Sequence, residues 1–282
     1  MTIIKTAADV INFFLIAKKK GLITGFVPTM GALHGGHITL IKKAKAENDL
    51  VVCSIFVNPT QFNDPKDFKK YPATIEQDIF LLEKAYCDIL FLPSVDEMYP
   101  NGVRNDRHFD LGYLETTLEG KFRPGHFQGV CQVVNRLLEI ILPDKLYLGQ
   151  KDFQQCMVLK KMAETNYPTL QIVICPTQRE ADGLAMSSRN MRLNADERKQ
   201  AVKISAALEF VKTNIKPGNI KDLILNTIKD LTTNGFEVDY LEIADANTLK
   251  IIDHWDGKES VVVLIAAFLN EVRLIDNMII DN

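Results

Sequence analysis

The sequence predicts an α/β protein in which a doubly wound parallel sheet is followed by a smaller α+β part. Up to residue 177, short and almost continuously apolar segments alternate with segments of helical periodicity. This alternation is typical of buried parallel strands joined by right-handed crossover helices. After Pro176 the pattern changes to two helices followed by three strand-like segments. We therefore predict one domain over 1–177 and a second over 178–282.

Composition and charge are those of an ordinary globular protein. The 282 residues are 46% hydrophobic and 24% charged, enough apolar material for one large domain or two ordinary ones. The formal net charge of −3 gives no indication of a nucleic-acid partner. No apolar stretch approaches the roughly 18 residues of a membrane span, and the first residues lack a secretory signal pattern. We expect a cytoplasmic protein that acts on small molecules, with no nucleic-acid or membrane partner.

The cysteines are scattered along the chain and lie mostly inside apolar runs. They form no CxxC pair and no zinc-binding spacing, and their number is odd. We interpret them as buried free thiols of a protein in a reducing compartment. They are Cys53, Cys87, Cys131, Cys156 and Cys175.

The elements of the first part follow from hydrophobic periodicity and its breaks. A helix is predicted over 3–20, with Ile11, Phe14 and Leu15 on its apolar face and lysines near its end, where the helix dipole favours cations. A strand that begins at Thr24 is expected to stop at Pro28, and a helix to begin at Ile38. Further strands are predicted at 50–57, 88–93, 146–148 and 171–175, and further helices at 74–85, 130–141 and 153–163.

Two connections in the first part are polar and irregular, and the second part follows them. Asn63–Pro72 is predicted to be a mobile loop and a candidate lid. Residues 94–129 contain Arg123 and His126, which are either anion contacts or parts of an exposed loop. In the second part, helices are predicted near 195–213 and 220–234, and strands at about 236–243, 260–268 and 272–280.

The segment with the clearest chemistry is Pro28-Thr-Met-Gly-Ala-Leu-His-Gly-Gly-His37, between a predicted strand and a predicted helix. A strand, a glycine-rich turn and a helix together point backbone N–H groups and a positive helix end at an anion. His34 and His37 lie where a phosphate would bind, and imidazole can donate hydrogen bonds to phosphate oxygens. The alternatives are an exposed turn or a zinc pair, although no third ligand follows at an obvious spacing.

Further polar clusters follow two other predicted strands and open the second part. Asn58 and Gln61 come after one strand, and Lys151 and Asp152 after another, at the edge where open α/β sheets bind ligands. Lys151 is a phosphate contact or a solvated lysine, and Asp152 contacts a ribose or caps a helix. Met186-Ser-Ser-Arg189 is a mobile phosphate clamp or a serine-rich linker. The sequence contains neither a Walker A motif nor GxGxxG, so a P-loop kinase and a dehydrogenase are not supported.

Taken together, these motifs resemble the pantothenate synthetase (pantoate–β-alanine ligase) family, which is nucleotidyltransferase-like. The likeness runs in order over about residues 24–192 and more loosely to Arg273-Leu-Ile-Asp-Asn277. The motifs that carry it are Pro28–His37, Ser54-Ile-Phe-Val-Asn-Pro-Thr-Gln-Phe62, Arg123-Pro-Gly-His-Phe127, Gly149-Gln-Lys-Asp-Phe-Gln-Gln155 and Asp182-Gly-Leu-Ala-Met-Ser-Ser-Arg-Asn190.

The resemblance implies a two-step reaction. The carboxylate of pantoate attacks the α-phosphorus of ATP, bound with Mg²⁺, and gives pantoyl adenylate and pyrophosphate. The amine of β-alanine then attacks the adenylate and releases AMP and pantothenate. The resemblance also implies a Rossmann-like first domain that binds ATP and pantoate, a C-terminal domain that acts as a lid, and a homodimer.

The resemblance also implies roles for individual residues. Gln61 and Gln155 hold pantoate, Gln61 also borders the β-alanine site, and Asn58 is a further substrate-binding candidate. Met186–Arg189 are the counterpart of the KMSKS loop of class I tRNA synthetases, and the backbone at Gln178 meets adenine. The catalytic candidates are His34, His37, Lys151, Ser187, Ser188 and Arg189. The ATP-binding set adds Met30, Gly31, Ala32, Leu33, Gly35, Gly36, Gly149, Gln150, Asp152, Gln178 and Met186.

The chain departs from the family pattern at Gln150, where the family favours Glu. Acidic residues on the helix after Tyr71 have been linked to magnesium in this family; this chain offers Glu76 and Asp78, and we predict no protein metal ligand. Two other functions remain open. One is a nucleotidyltransferase that keeps the nucleotide on its product, and the other is a nucleotide-binding regulator that is not an enzyme.

Overall fold

A computed structural model describes residues 1–61, 71–102 and 107–281 of the chain. The chain forms two compact units, the first of Met1–Gly149 with Val158–Pro176 and the second of Gln150–Met157 with Thr177–Asn282. The predicted loop over 63–72 lies almost entirely outside the described residues, so its role as a lid stays a prediction. The division of the chain at 177 into two functional domains also stays a prediction.

In the first unit, the described strands form a six-stranded parallel sheet. Their order is β1-β4-β3-β2-β5-β6, and every pairing between neighbours is parallel. The order reverses between β2 and β5, and such a switch point is where open α/β sheets bind ligands. The strands are β1 (Thr2–Ile4), β2 (Thr24–Thr29), β3 (Leu50–Ile55), β4 (Ile89–Phe91), β5 (Lys145–Gly149) and β6 (Gln171–Cys175).

Helices connect these strands and cover the sheet. Successive residues Phe26 and Val27, and likewise Val51 and Val52, are fully buried, so the central strands are covered on both faces, as their apolar runs predict. The helices up to residue 176 are α1 (Ala7–Lys19), α2 (Gly35–Glu47), α3 (Ile75–Lys84), α4 (Val95–Met98), α5 (Glu119–Phe122), α6 (His126–Ile141) and α7 (Phe153–Asn166). Short 3-10 turns cover Pro59–Gln61, Gly112–Glu115 and Gln150–Asp152.

The second unit packs helices against a small antiparallel sheet. Its helices are α8 (Ala195–Ala201), α9 (Lys203–Asn214) and α10 (Lys221–Thr233). Its strands are β7 (Gly218–Asn219), β8 (Glu237–Asp245), β9 (His254–Trp255), β10 (Val261–Leu269) and β11 (Val272–Ile280). The main sheet has the order β11-β10-β8, and β7 pairs with β9. The predicted fold class is therefore confirmed: a parallel α/β sheet and a separate, smaller α+β part.

Near the start of the chain, two elements begin or end elsewhere than predicted, and each difference has a local reason. Thr2–Ile4 is not the start of the first helix but a strand that pairs with β4, and the Thr6 hydroxyl then caps α1 by accepting the N–H of Asp9. The strand β2 does not stop at Pro28 but continues to Thr29. Proline is tolerated there because β5 pairs only with Gly25 and Phe26, so the ladder on that side has already ended.

A membrane-spanning helix was not predicted from the sequence. Within the described ranges, no helix is both long enough and apolar enough to cross a membrane.

Candidate active site

The glycine-rich turn between β2 and α2 has an unusual backbone that a buried carboxylate stabilises. Gly31 and Ala32 are both left-handed, with φ of 82° and 49°. A Cβ at Gly31 would lie 3.0 Å from Oδ2 of Asp78, so the turn approaches this side chain closely. The N–H groups of Ala32 and Leu33 donate to the Asp78 carboxylate at 2.9 and 2.8 Å. These two N–H groups are therefore engaged inside the protein, and contacts of Ala32 and Leu33 with ATP stay predictions.

Asp78 is fully buried in the first turn of α3. Besides the two N–H groups, its carboxylate accepts a hydrogen bond from Oγ1 of Thr74 (3.2 Å), and three donors compensate for the burial of its charge. The oxygens of Asp78 are thus engaged by donors of the protein itself. Among the described residues, no group of three His, Cys, Asp or Glu side chains could hold a metal ion. That magnesium has no protein ligand stays a prediction.

His34 and His37 are brought together at the start of α2. The ring centroids lie 4.0 Å apart, and both side chains are half-buried. His34 is the N-cap: its Nδ1 accepts the N–H of Gly36 (3.2 Å), and its own N–H donates to Nδ1 of His37 (3.3 Å). This cap starts α2 at Gly35 rather than at the predicted Ile38. Because Nδ1 accepts in both rings, each neutral ring carries its proton on Nε2, a donor suited to a phosphate oxygen.

The turn after β3 is built around Asn58, whose side chain is fully buried. Its Nδ2 donates to Oγ1 of Thr60 (2.9 Å) and to the carbonyl of Gly129 (3.2 Å), and its Oδ1 accepts the hydroxyl of Tyr99 (2.8 Å). Burial raises the pKa of Tyr99, which keeps it a neutral donor. The Asn58 amide therefore fixes the turn that carries Gln61, and its direct contact with substrate stays a prediction.

Gln61 lies beside Met30, so the ends of the neighbouring strands β2 and β3 bring two predicted site residues together. Nε2 of Gln61 is 2.8 Å from Sδ of Met30, and both side chains are half-buried. The Gln61 carbonyl accepts a hydrogen bond from Nδ1 of His126 (2.8 Å), which is buried. His126 is thus part of the support of this turn rather than of an exposed loop, and Arg123 pairs with Glu119 at 3.6 Å.

In the second unit, the predicted ATP contacts fall on two ordered segments. The first is the 3-10 turn Gln150–Asp152, where Nζ of Lys151 lies 3.9 Å from Oδ1 of Asp152. The Lys151 side chain is 16% exposed and that of Asp152 is 49% exposed, so the lysine is held more closely by the protein. Gln155, the predicted pantoate ligand that follows this turn, is half-buried on α7.

The second segment, Gln178–Arg189, is folded back on itself rather than being a loose linker. The Gln178 carbonyl accepts the N–H of Met186 (2.9 Å), and Arg179 forms an antiparallel bridge with Ala185. The Ser187 hydroxyl accepts the N–H of Arg189 (3.3 Å) and caps the 3-10 turn Ser188–Arg192, in which Ser188 is buried. The predicted clamp is therefore an ordered turn in which the Ser187 hydroxyl is bonded to the backbone of Arg189.

A buried ion pair joins this segment to β11. Arg179 donates to both carboxylate oxygens of Asp276 at 2.6 and 3.1 Å. Burial raises the pKa of Asp276, and the Arg179 guanidinium acts in the opposite direction. Asp276, Asn277 and Tyr99 were not predicted as site residues, and Asp78 was named only in connection with magnesium. Asp276 and Asn277 lie in the Arg273–Asn277 motif, which is their one signal in the sequence.

These elements define the class of protein: a doubly wound α/β protein with polar turns at the carboxyl edge of its parallel sheet and a smaller α+β unit. The sequence profile described as Pantoate-beta-alanine ligase matches residues 2–279. The chain therefore belongs to the pantoate–β-alanine ligase family, whose members are also called pantothenate synthetases. The predicted family and enzyme class are thereby confirmed.

Relatives and solved structures agree with this assignment over the whole chain. The pantothenate synthetase of Bacteroides fragilis (strain YCH46) is 45% identical over 280 residues, covering 99% of this chain and 98% of that protein. That of Cytophaga hutchinsonii is 48% identical over 273 residues, covering 93% of each chain. The crystal structure of pantothenate synthetase from Thermus thermophilus has a TM-score of 0.87 at 38% identity and covers 99% of each chain.

A further solved structure carries ligands in its description. It is the pantoate-beta-alanine ligase from Francisella tularensis, complexed with Beta-gamma ATP and Beta-alanine. It has a TM-score of 0.80 at 38% identity and covers 99% of this chain and 97% of its own.

Proposed function

We propose that this protein condenses (R)-pantoate with β-alanine to form pantothenate, using ATP and passing through pantoyl adenylate. AMP and pyrophosphate are the other products, and the reaction serves pantothenate and coenzyme A biosynthesis. The observation that carries the proposal is the likeness to the Francisella tularensis ligase, which is described as complexed with Beta-gamma ATP and Beta-alanine and covers 99% of this chain. The capped histidine pair at the switch point of the sheet supports it chemically.

In the first unit, we assign the phosphates of ATP to the turn that follows β2. A carboxylate and ATP repel each other, and negative charge grows on the leaving pyrophosphate as the carboxylate attacks. The Nε2–H groups of His34 and His37 are donors that offset this charge from fixed positions. We assign the hydroxyl and carboxylate of pantoate to the amide of Gln61, which Asn58 and Met30 hold in place.

In the second unit, we assign the ribose and phosphates to Gln150–Asp152 and the adenine ring to the backbone at Gln178. Lys151 supplies a positive charge, and Ser187, Ser188 and Arg189 form the phosphate clamp. Gln155 is a second amide for pantoate. The adenylate has to be kept from water until β-alanine attacks, which gives the C-terminal part a task as a lid.

We propose that ATP is used as its Mg²⁺ complex, with the cation held by phosphate oxygens. The engagement of Asp78 by backbone N–H groups of the protein supports this. When bound, the cation neutralises charge on the phosphates. We further propose that the protein is a homodimer and works in the cytoplasm.

The test is AMP production by the purified protein with each substrate omitted in turn. We expect AMP and pantothenate in equal amounts, and only when ATP, pantoate and β-alanine are all present. A nucleotidyltransferase that keeps the nucleotide on its product would release no AMP. A nucleotide-binding regulator would bind ATP without any turnover, and either result would overturn the proposal.

A further inference from the structure

We propose that two adjacent residues of β11, Asp276 and Asn277, position the ATP-binding segments of the second unit. Both side chains are buried, with exposed fractions of 3% and 2%. Neither has a role in the proposed reaction, and neither is expected to touch a substrate. The inference rests on the proposed function, because that function gives the segments Gln150–Asp152 and Gln178–Arg189 their task.

The side chain of Asn277 holds the backbone of the turn Gln150–Asp152. Its Nδ2 donates to two consecutive carbonyls, those of Gln150 (2.9 Å) and Lys151 (2.8 Å). Its Oδ1 accepts a hydrogen bond from Nε2 of Gln150 (3.2 Å). Both N–H groups of the Asn277 amide therefore bond to the turn. A side-chain amide can donate two hydrogen bonds and accept another at the same time, which a carboxylate or a hydroxyl of similar size cannot do. Asn277 therefore fixes the backbone of Lys151, and with it the point at which the lysine side chain begins.

The Gln150 side chain adds a third hydrogen bond between the turn and Asn277. Its amide donates to Oδ1 of Asn277, whereas an ionised carboxylate at this position could only accept. The side chain at position 150 therefore contributes to this buried contact through its N–H group.

Asp276 holds the second segment through Arg179. Its carboxylate accepts two hydrogen bonds from the guanidinium and a third from the N–H of Asn277 (2.8 Å). Arg179 also donates to the carbonyls of Gly183 (3.1 Å) and Asn277 (3.3 Å). These bonds fix the guanidinium of Arg179. Arg179 follows Gln178, whose backbone is assigned to adenine, and its bond to Gly183 holds the turn that precedes Met186–Arg189. Bidentate arginine–carboxylate pairs are geometrically specific, which suits a positioning role.

The network has a matched control in the same sheet. Arg273, also on β11, donates to Asp239 of β8 at 2.7 Å, and the two side chains are 17% and 15% exposed. This ion pair is also largely shielded from solvent, and it connects two strands of the sheet. Asp239 lies outside the ATP-binding segments. A variant at Asp239 therefore separates loss of stability from loss of positioning.

The experiment compares Asn277→Asp, Asn277→Ser and Asp239→Asn with the wild-type protein. For each we would measure KM for the three substrates, ATP affinity by calorimetry and the thermal midpoint. Asn277→Asp keeps the shape but loses both donors, and we expect the KM and Kd for ATP to rise about 10- to 100-fold. Asn277→Ser, which keeps one donor, should lie between it and the wild type. In both, the KM for β-alanine should stay unchanged. Asp239→Asn should lower the thermal midpoint and leave ATP affinity unchanged.

Wild-type ATP affinity in the Asn277→Asp variant would overturn the inference. So would an equal loss for all substrates, or the same loss of ATP affinity in Asp239→Asn. If Asn277→Asp does not fold, Asn277→Ser decides by the same criteria. Calorimetry with ATP alone keeps this result separate from the proposed function, because the proposed function is tested by substrate-dependent AMP production in the wild-type protein.

Discussion

His34 and His37 show how single residues obtain a defined chemistry from backbone contacts. In each ring Nδ1 accepts a backbone N–H at the start of α2, so the neutral ring keeps its proton on Nε2. The same two bonds satisfy N–H groups that a helix start would otherwise leave unpaired. Each histidine therefore does two things, and a substitution can separate them.

Replacing His37 with Asn is expected to keep the cap and remove the donor. Asn Oδ1 can accept the His34 N–H in place of Nδ1, but no N–H reaches the position of Nε2. We expect pantoate-dependent exchange of pyrophosphate into ATP to fall by about 100- to 1,000-fold, the cost of one such donor, with a wild-type thermal midpoint. His37→Ala should lose the exchange as well as the cap. His108→Ala, at an imidazole that is 75% exposed, is the control. Near-normal exchange in a folded His37→Asn protein would contradict the role.

The sequence could predict the polar residues at strand ends but not the residues that hold them. His34, Gln61 and Lys151 are visible because polar residues stand out where an apolar strand stops. Asp78 bonds to residues 46 and 45 positions away, and Asn277 to one 127 positions away. Such contacts depend on packing between elements that are distant in the sequence, so no local sequence pattern predicts them. Supporting residues of this kind were therefore missed.

At the scale of elements, the turn after β3 depends on how closely α6 approaches it. A Cβ at Gly129 would lie 2.6 Å from the carbonyl oxygen of Thr60 and 3.1 Å from Cα of Gln61. The helix therefore needs a residue without a side chain at this point. The same turn is held by the Asn58 amide, which bonds to the Gly129 carbonyl. The position of Gln61 is thus set by two elements together.

Gly129→Ala is expected to displace this turn. A methyl group at 2.6 Å from backbone must push the helix and the turn apart, and overpacking of this kind costs typically about 1–3 kcal/mol of stability. We expect a higher KM for pantoate, through Gln61, measured with saturating ATP and β-alanine. Ile140→Val, farther along α6 beside α1, should cost about 0.5–1.5 kcal/mol and leave this KM unchanged. An unchanged pantoate KM in Gly129→Ala would argue against the placement of Gln61.

Long helices and long buried strands could be predicted from the sequence, whereas the shortest elements could not. The continuous apolar run of β3 and the apolar stripe of α6 are long enough to be recognised in the sequence. β1 has three residues and pairs with a strand far along the chain, so no period could reveal it. The early start of α2 depends on a histidine acting as a cap, a role that sequence preference usually gives to Ser, Thr, Asp or Asn.

At the scale of the whole molecule, the alternation of strands and helices predicted the fold class. It could not predict that Gln150–Met157 belongs with the second unit. This segment follows β5 directly, and its place in the second unit reflects the bonds of Asn277 to the carbonyls of Gln150 and Lys151. A single boundary in the sequence places every residue before it in the first domain. Gln150–Met157 precedes the predicted boundary but packs with the second unit.

The packing also fixes the chemistry of the thiols. All five cysteines are buried and carry thiols rather than disulfides, and burial raises the pKa of Cys87 and of Cys131 to about 12. A thiol with so high a pKa is protonated and unreactive at neutral pH. We expect a thiol reagent at pH 8 to modify almost no cysteine in the native protein and all five after unfolding in guanidinium. Rapid reaction of native Cys87 or Cys131 would contradict the burial of these two thiols.

The central claim is that pantoate is activated as its adenylate. It is tested most directly with pantoate whose carboxylate oxygens are replaced by a heavy oxygen isotope, incubated with ATP, β-alanine and the protein. Attack of the carboxylate on the α-phosphorus leaves one of its oxygens on the nucleotide when β-alanine displaces AMP. We predict that mass spectrometry finds one heavy oxygen in AMP for each pantothenate formed. Unlabelled AMP, with the heavy oxygen in inorganic phosphate instead, would contradict the account.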